Sequence, residues 1–174
     1  WFPWWEAEHR ACREGVILMD MSFMAKFLVE GRDAGRELDW LSGNAVDGPA
    51  GQITYTQWMD RFGKLQADLT VTKLADDRFW VVASDTAHRH VHTWMRRSFE
   101  ARGAHAFAAD QTSAYAQLNV QGPHSRALLA RVTDADLSNE AFPFRAAREI
   151  DIGFARVLCV RITYLGELGY ELYV

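Results

Sequence analysis

Cysteine, proline and long apolar runs are all scarce in this sequence. Of its 174 residues two are Cys and four are Pro, and nothing approaches the roughly 18 consecutive apolar residues of a membrane-spanning helix. Two cysteines as far apart as Cys12 and Cys159 supply neither a disulfide framework nor a zinc site. Cys159 lies in an alternating apolar segment and Cys12 in a helical one, so both read as small buried hydrophobes, a pattern that fits a reducing compartment. Excess positive charge is missing as well. The formal net charge is −4, which gives no electrostatic reason to expect nucleic acid or an anionic membrane surface as a partner. There is no P-loop, GxGxxG, GxSxG, CxxC or HExxH, so no flavin or nicotinamide site is expected within this stretch. The chain opens on WFPWW without an initiator Met and stops inside an apparent strand, so it reads as an excerpt from a longer polypeptide.

What is present is a globular composition, 49% hydrophobic and 24% charged, in a length that suits one domain or two packed halves. The pattern predicts a helix over 5–14 ended by Gly15, a strand AKFLVEG closing at Gly31, and a helix over 32–41 with Ala34, Leu38 and Leu41 at helical spacing. Gly48, Pro49 and Gly51 mark a loop. A β-meander follows: ITYTQWM, KLQADLTVTKL and FWVVAS, joined by turns at DRFG and ADDR. Ser84 or Asp85 is placed to cap a helix running to Arg96 and Arg97. The order then partly repeats. FLVEGRDAGRELDWL (27–41) resembles LNVQGPHSRALLARV (118–132), with Val29, Gly31, Ala34 and Leu38 corresponding to Val120, Gly122, Ser125 and Leu129 at a constant offset of 91. FRAAREIDIG and ARVLCVRITY again read as paired strands around Gly153. Duplicated strand–helix–strand–strand units imply antiparallel sheets covered by helices, an α+β fold with halves at about 15–100 and 110–174.

Four features invite a chemical reading, each with a plainer one beside it. Asp68 interrupts the strand GKLQADLTV, although Asp is depleted from strands. It is either a hairpin residue facing water or a carboxylate on a polar sheet face beside Gln66 and Thr70. Glu167 in YLGELGYE lies between Gly166 and Gly169, in what reads as a tight turn. It is either the exposed tip or a carboxylate whose two coplanar oxygens match a guanidine-like edge with two parallel N–H donors. His88, His90 and His92 form HRHVH; on a helix His88 and His92 share a face, as a solvated pair or as two metal ligands lacking a completing carboxylate or cysteine. The aromatics of WFPWW are too apolar for a free tail and are expected to dock on this domain or on a part outside it.

Taken together, MDMSFMAKFLVEGRDA (19–34), GQITYTQWMDRFGKLQADLTV (51–71), NVQGPHSRALL (119–129) and RITYLGELGYELYV (161–174) resemble the folate-binding aminomethyltransferase family, whose best-known member is the glycine cleavage T-protein. DADLSNEAFPF (134–144) and the GELGYELYV ending are most similar to the tetrahydrofolate domains of sarcosine and dimethylglycine dehydrogenases. The resemblance covers essentially the whole chain. It implies that Asp68 is the catalytic aspartate beside the reactive N5 edge of tetrahydrofolate. It implies that Glu167 pairs with the pterin's amino edge, and that Met24, Tyr55, Val82 and Ser84 line the pocket. It further implies an FAD domain upstream and a C-terminal barrel downstream, neither in this chain. The implied reaction is capture of a one-carbon unit from the iminium of an N-methyl amine, giving 5,10-methylenetetrahydrofolate. The implied location is the bacterial cytoplasm or the mitochondrial matrix, with no nucleic-acid or membrane partner. A stand-alone aminomethyltransferase and a non-catalytic folate-binding module are the alternatives. Three positions depart from the family pattern: its usual GG is Gly63-Lys64, its Asp-Asp is Ala67-Asp68, and a frequent Asn is Ser84.

Overall fold

The computed structural model describes residues 1–174, and the chain divides into two compact units. One is Phe23–Ala114; the other joins Trp1–Ser22 to Tyr115–Val174. Each contains one five-stranded sheet. No helix is long and apolar enough to cross a membrane.

In Phe23–Ala114, β2 (Ala25–Glu30), α2 (Ala34–Leu41), β3 (Ile53–Met59), β4 (Leu65–Ala75), β5 (Arg78–Ala83), α3 (His88–Ala101) and β6 (Phe107–Asp110) follow one another. The sheet order is β3-β4-β5-β2-β6, antiparallel throughout. Alternation gives each strand one apolar side. Phe27 and Val29, Leu69 and Val71, and Phe79 and Val81 pack against Leu38 of α2 and Val91, Met95 and Phe99 of α3. The apolar positions of α3 recur at spacings of four, so one stripe of that helix seats on the sheet.

In the other unit, α1 (Phe2–Glu14) and β1 (Ile17–Asp20) precede β7 (Gln117–Gln121), α4 (Ser125–Leu129), β8 (Ala147–Ile152), β9 (Ala155–Val160) and β10 (Gly169–Tyr173). The sheet order is β1-β7-β10-β9-β8. Its core is Val120, Leu129, Phe142, Ile150, Val157, Cys159, Tyr170 and Leu172. Burial pushes the Cys159 thiol up to about 12, so it packs as an inert hydrophobe, and both cysteines are free and buried.

The α+β reading and the internal duplication both hold. Gly31 and Gly122, equivalent at the offset of 91, share a positive φ of 136° and 124°. Their N–H groups donate to Asp77 O and Leu168 O, which are also 91 apart, each at 2.9 Å. Ala34 N donates to Gly31 O and Ser125 N to Gly122 O, opening α2 and α4 in the same manner. The structure extends the duplication beyond strand–helix–strand–strand. A helix and an edge strand, α3–β6 in one unit and α1–β1 in the other, complete each sheet, so residues 15–22 belong with the C-terminal segment.

Some local expectations differ. α1 starts at Phe2, with Pro3 in its first turn where a missing N–H costs nothing, and it takes in WFPWW. Trp1, Phe2 and Trp4 stay largely exposed, and Cys12 is the helix's buried residue. The edge strand β6 has no strong pattern and is absent from the sequence reading. The connection from β9 to β10 runs over 161–168, longer than a tight turn.

Candidate functional site

The face of the Phe23–Ala114 sheet turned away from α2 and α3 carries sequence-selected residues of that unit. Thr70 pairs with both Tyr55 and Val82, and Val82 with Lys26, so Tyr55, Thr70, Val82 and Lys26 form one row across four strands. The ladders run on through Ala25↔Ala83 and Leu69↔Ala83. Asp68, two residues from Thr70 on β4, lies on the same face and pairs with Gln57. Tyr55, Asp68 and Val82 thus share one sheet face, while Met24 immediately precedes β2 and Ser84 immediately follows β5.

Asp68 and Tyr55 touch. The Tyr55 Oη–H donates to Asp68 Oδ2 at 2.9 Å, a diagonal cross-strand contact between β3 and β4. This bond to a carboxylate holds the Tyr55 phenol above its ordinary range. Asp68 is exposed and Tyr55 is 51% exposed, so the plainer reading of Asp68 as a solvent-facing residue is correct about exposure. What it omits is the fixed orientation, one oxygen held by a phenol and the other open. Val82 is buried and Met24 half-buried beside them. Ser84 closes β5 and bonds locally, its Oγ to Asp85 Oδ1 at 3.2 Å and to Thr86 Oγ1 at 2.9 Å.

Gln66 does not join that face. Trp58 pairs with Ala67 but Met59 with Leu65, so Gln66 is the extra residue of a β-bulge. Its side chain meets His90 Nε2 of α3 at 3.1 Å and Asp60 Oδ2 at 3.3 Å. The three histidines are separate anchors for α3: His88 Nε2 lies 2.8 Å from Asp110 Oδ2, and His92 Nε2 lies 3.1 Å from Ala108 O. His88 and His92 both stack on Phe27. No three His, Cys, Asp or Glu side chains converge as a metal site would require.

In the other unit Glu167 is half-buried and ion-paired with Arg13 near the end of α1. Gly166, at φ 85°, shapes the loop before it, and its N–H donates to Thr163 Oγ1 at 2.8 Å. A carboxylate the sequence reading missed lies four residues on. Glu171 is buried in β10; Asn119 Nδ2 donates to its Oε1 at 3.3 Å and Tyr173 Oη to its Oε2 at 2.7 Å. Burial raises its pKa, and those two hydrogen bonds oppose the rise. The detectable signal was a Glu inside GYELY, the same anomaly that singled out Asp68.

Comparison with known proteins agrees with this architecture. The model of the GCVT N-terminal domain matches residues 1–174. Among curated relatives, the 4-methylaminobutanoate oxidase (formaldehyde-forming) of Paenarthrobacter nicotinovorans is 36% identical over 99% of this chain and 21% of that protein. Human mitochondrial sarcosine dehydrogenase is 32% identical over 94% of this chain and 19% of that protein. The glycine cleavage aminomethyltransferase T of Bartonella henselae superposes with a TM-score of 0.83 at 26% identity, covering 97% of this chain and 44% of that one. The chain therefore spans about a fifth of the length of these two curated relatives.

Proposed function

Because this chain belongs to the GCVT N-terminal domain family, as an aminomethyltransferase-like domain related to sarcosine dehydrogenase, we propose that it binds tetrahydrofolate within an N-methyl amine dehydrogenase. There it serves capture of the one-carbon unit of an iminium as 5,10-methylenetetrahydrofolate. An FAD-bearing domain before it and a C-terminal barrel after it in the parent chain belong to the same proposal, supported by the share of its relatives that the chain spans. So does a location in the mitochondrial matrix or bacterial cytoplasm.

The observation that carries the reading is the Asp68–Tyr55 pair on a face shared with Val82, with Met24 and Ser84 at the adjoining ends of β2 and β5. Bound folate supplies the nucleophilic nitrogen that takes up the carbon unit. Asp68, aimed by Tyr55, would stabilise the cationic carbon donor, accept the N–H proton released as the nitrogen–carbon bond forms, and return a proton to the donor's nitrogen as the demethylated amine leaves and the second folate nitrogen closes the methylene bridge. Val82 and Met24 offer the apolar wall that a flat ring needs, Met as an adaptable surface. Keeping the donor beside such a wall shields it from water and suppresses hydrolysis to formaldehyde.

Two carboxylates are candidates for the pterin's amino edge. Glu167 would exchange Arg13 for a guanidine-like ligand edge, one planar donor pair for another. Glu171 is already desolvated, with neutral donors on both oxygens. Equilibrium binding of 5-formyltetrahydrofolate to the full-length protein tests the reading. Micromolar-range saturation that Asp68→Asn leaves within about threefold is expected, because Asp68 acts on the reaction more than on affinity. Failure of the unsubstituted protein to bind folate would remove the proposal.

A further inference from the structure

A cavity of about 390 Å³ opens between α2 and α3, on the side of the sheet away from Asp68. It falls near the small end of the roughly 300–1,000 Å³ range of ligand sites, and the reaction chemistry makes no use of it. Trp40 and Leu41 of α2 line it, with Trp94, Arg97 and Ser98 of α3 and Arg102 just past that helix. No Asp or Glu belongs to the lining.

Arg102 is held in a fixed orientation. Its Nε donates to Glu37 Oε2 at 2.5 Å, and its guanidinium carbon stands 4.3 Å from the Trp40 ring centroid. Glu37 is fully buried and Arg36 donates to its other oxygen, so both its oxygens are engaged. The plainer reading is a staple that ties α2 to α3. A staple needs only the Nε contact, however, and the two terminal nitrogens of Arg102 make no hydrogen bond within the protein. They form the end-on edge that matches the paired oxygens of a carboxylate or phosphate. Arg97 is exposed and has no ion pair, whereas its neighbour Arg96 meets Glu100. The cavity therefore holds two guanidiniums with donors to spare.

Its apolar walls are aromatic. Trp40 is 60% exposed and Trp94 half-buried, two large rings left beside cations. Ser98 Oγ is enclosed with no hydrogen-bond partner, so the α3 wall also holds an unmet hydroxyl. From this combination we infer that the α2–α3 cavity is a binding site for a small planar aromatic anion. The ring lies against the Trp40 and Trp94 indoles, and the carboxylate or phosphate pairs with Arg102 and Arg97. A neutral ring would leave both guanidiniums without a counter-charge, and a cation would be repelled. The site is separate from the Asp68 face, and the inference stands independently of the folate reading.

Calorimetric titration of the full-length protein tests it with two pairs of probes. Indole-3-acetate is set against tryptamine, the same ring carrying an ammonium, and adenosine monophosphate against adenosine. At least one acid is expected to bind saturably, about tenfold or more tighter than its counterpart, and which acid binds tells carboxylate from phosphate. Arg97→Glu, at an exposed and unpaired position, is expected to weaken that acid at least about tenfold. Arg102→Lys keeps a charge beside Glu37, removes the fork, and is expected to lose a similar amount. Binding of 5-formyltetrahydrofolate stays within about twofold in both variants, because the two sites share no side chain. Absence of saturable binding by either acid overturns the inference. So does binding that Arg97→Glu leaves unchanged, or that saturating 5-formyltetrahydrofolate displaces. Failure of the protein to bind folate removes the folate reading and leaves this one in force.

Discussion

At Asp68 the backbone and the side chain make opposite demands, and Tyr55 reconciles them. A short carboxylate in a strand competes for backbone hydrogen bonds, yet here its Oδ2 accepts from the Tyr55 phenol at 2.9 Å, and Asp68 keeps its pairing with Gln57 one pair short of the bulge. The bond keeps the Tyr55 proton on, which raises the phenol's pKa. Its sign follows: stability from the bond is fully present below the ordinary tyrosine range near about 10 and is lost as pH rises through the raised folded value. Difference titration of wild type against Tyr55→Phe isolates this phenol. In an Asp68→Asn background its midpoint is expected to move back toward about 10; an unmoved midpoint would show that Asp68 does not hold it. Asp68, Met24, Tyr55, Val82 and Ser84 could be named from the sequence because motif resemblance fixes positions. The resemblance could not show that Glu167 meets Arg13, since a salt bridge between residues 154 apart in number depends on the fold. Glu171 carries the same local anomaly as Asp68, at the end of YLGELGYE and inside the strand Gly169–Tyr173, but only its burial in the fold sets it apart from Glu167.

Elements show where local pattern suffices and where it does not. The meander β3–β4–β5 was readable because its strands alternate and its turns carry their own residues. The bulge at Gln66 was not, because it exists only in the pairing of Met59 with Leu65. It turns Gln66 to His90 and leaves Asp68 without that amide beside it. Glycines separate in the same way. Gly122, at φ 124°, has Gly15 O within 2.5 Å and Cys12 O within 3.0 Å of where a Cβ would stand. Gly153, at φ 57°, has nothing within 4 Å. Gly122→Ala is therefore expected to cost about 2–4 kcal/mol, strain and collision together, and Gly153→Ala about 1 kcal/mol from the left-handed backbone alone. Urea unfolding of the two variants measures the difference, and equal losses would contradict this account of the repeat's glycine turn.

Over the whole molecule, one plan is used twice. An edge strand, then β2-β5-β4-β3 or β7-β10-β9-β8, makes each sheet, and a helix precedes or leads into each edge strand. Sequence comparison caught the Gly31/Gly122 core of this plan, where the chain must turn with positive φ. It missed the contribution of α1–β1, because a segment whose residues lie 98 to 104 positions before their sheet partners leaves no local trace. The two sheets have diverged in what they expose. One carries a carboxylate that accepts a hydrogen bond from a phenol; the other carries the buried side chains of Gln117, Asn119, Gln121 and Glu171. The central claim is that Asp68 directs a carbon unit to folate. The most direct test oxidises an N-methyl amine with the full-length protein in the presence of tetrahydrofolate and quantifies methylenetetrahydrofolate against free formaldehyde. For Asp68→Asn the expected result is amine oxidation at an unchanged rate, a folate product yield lowered at least about tenfold, and formaldehyde raised to match. An unchanged yield of methylenetetrahydrofolate would contradict the account.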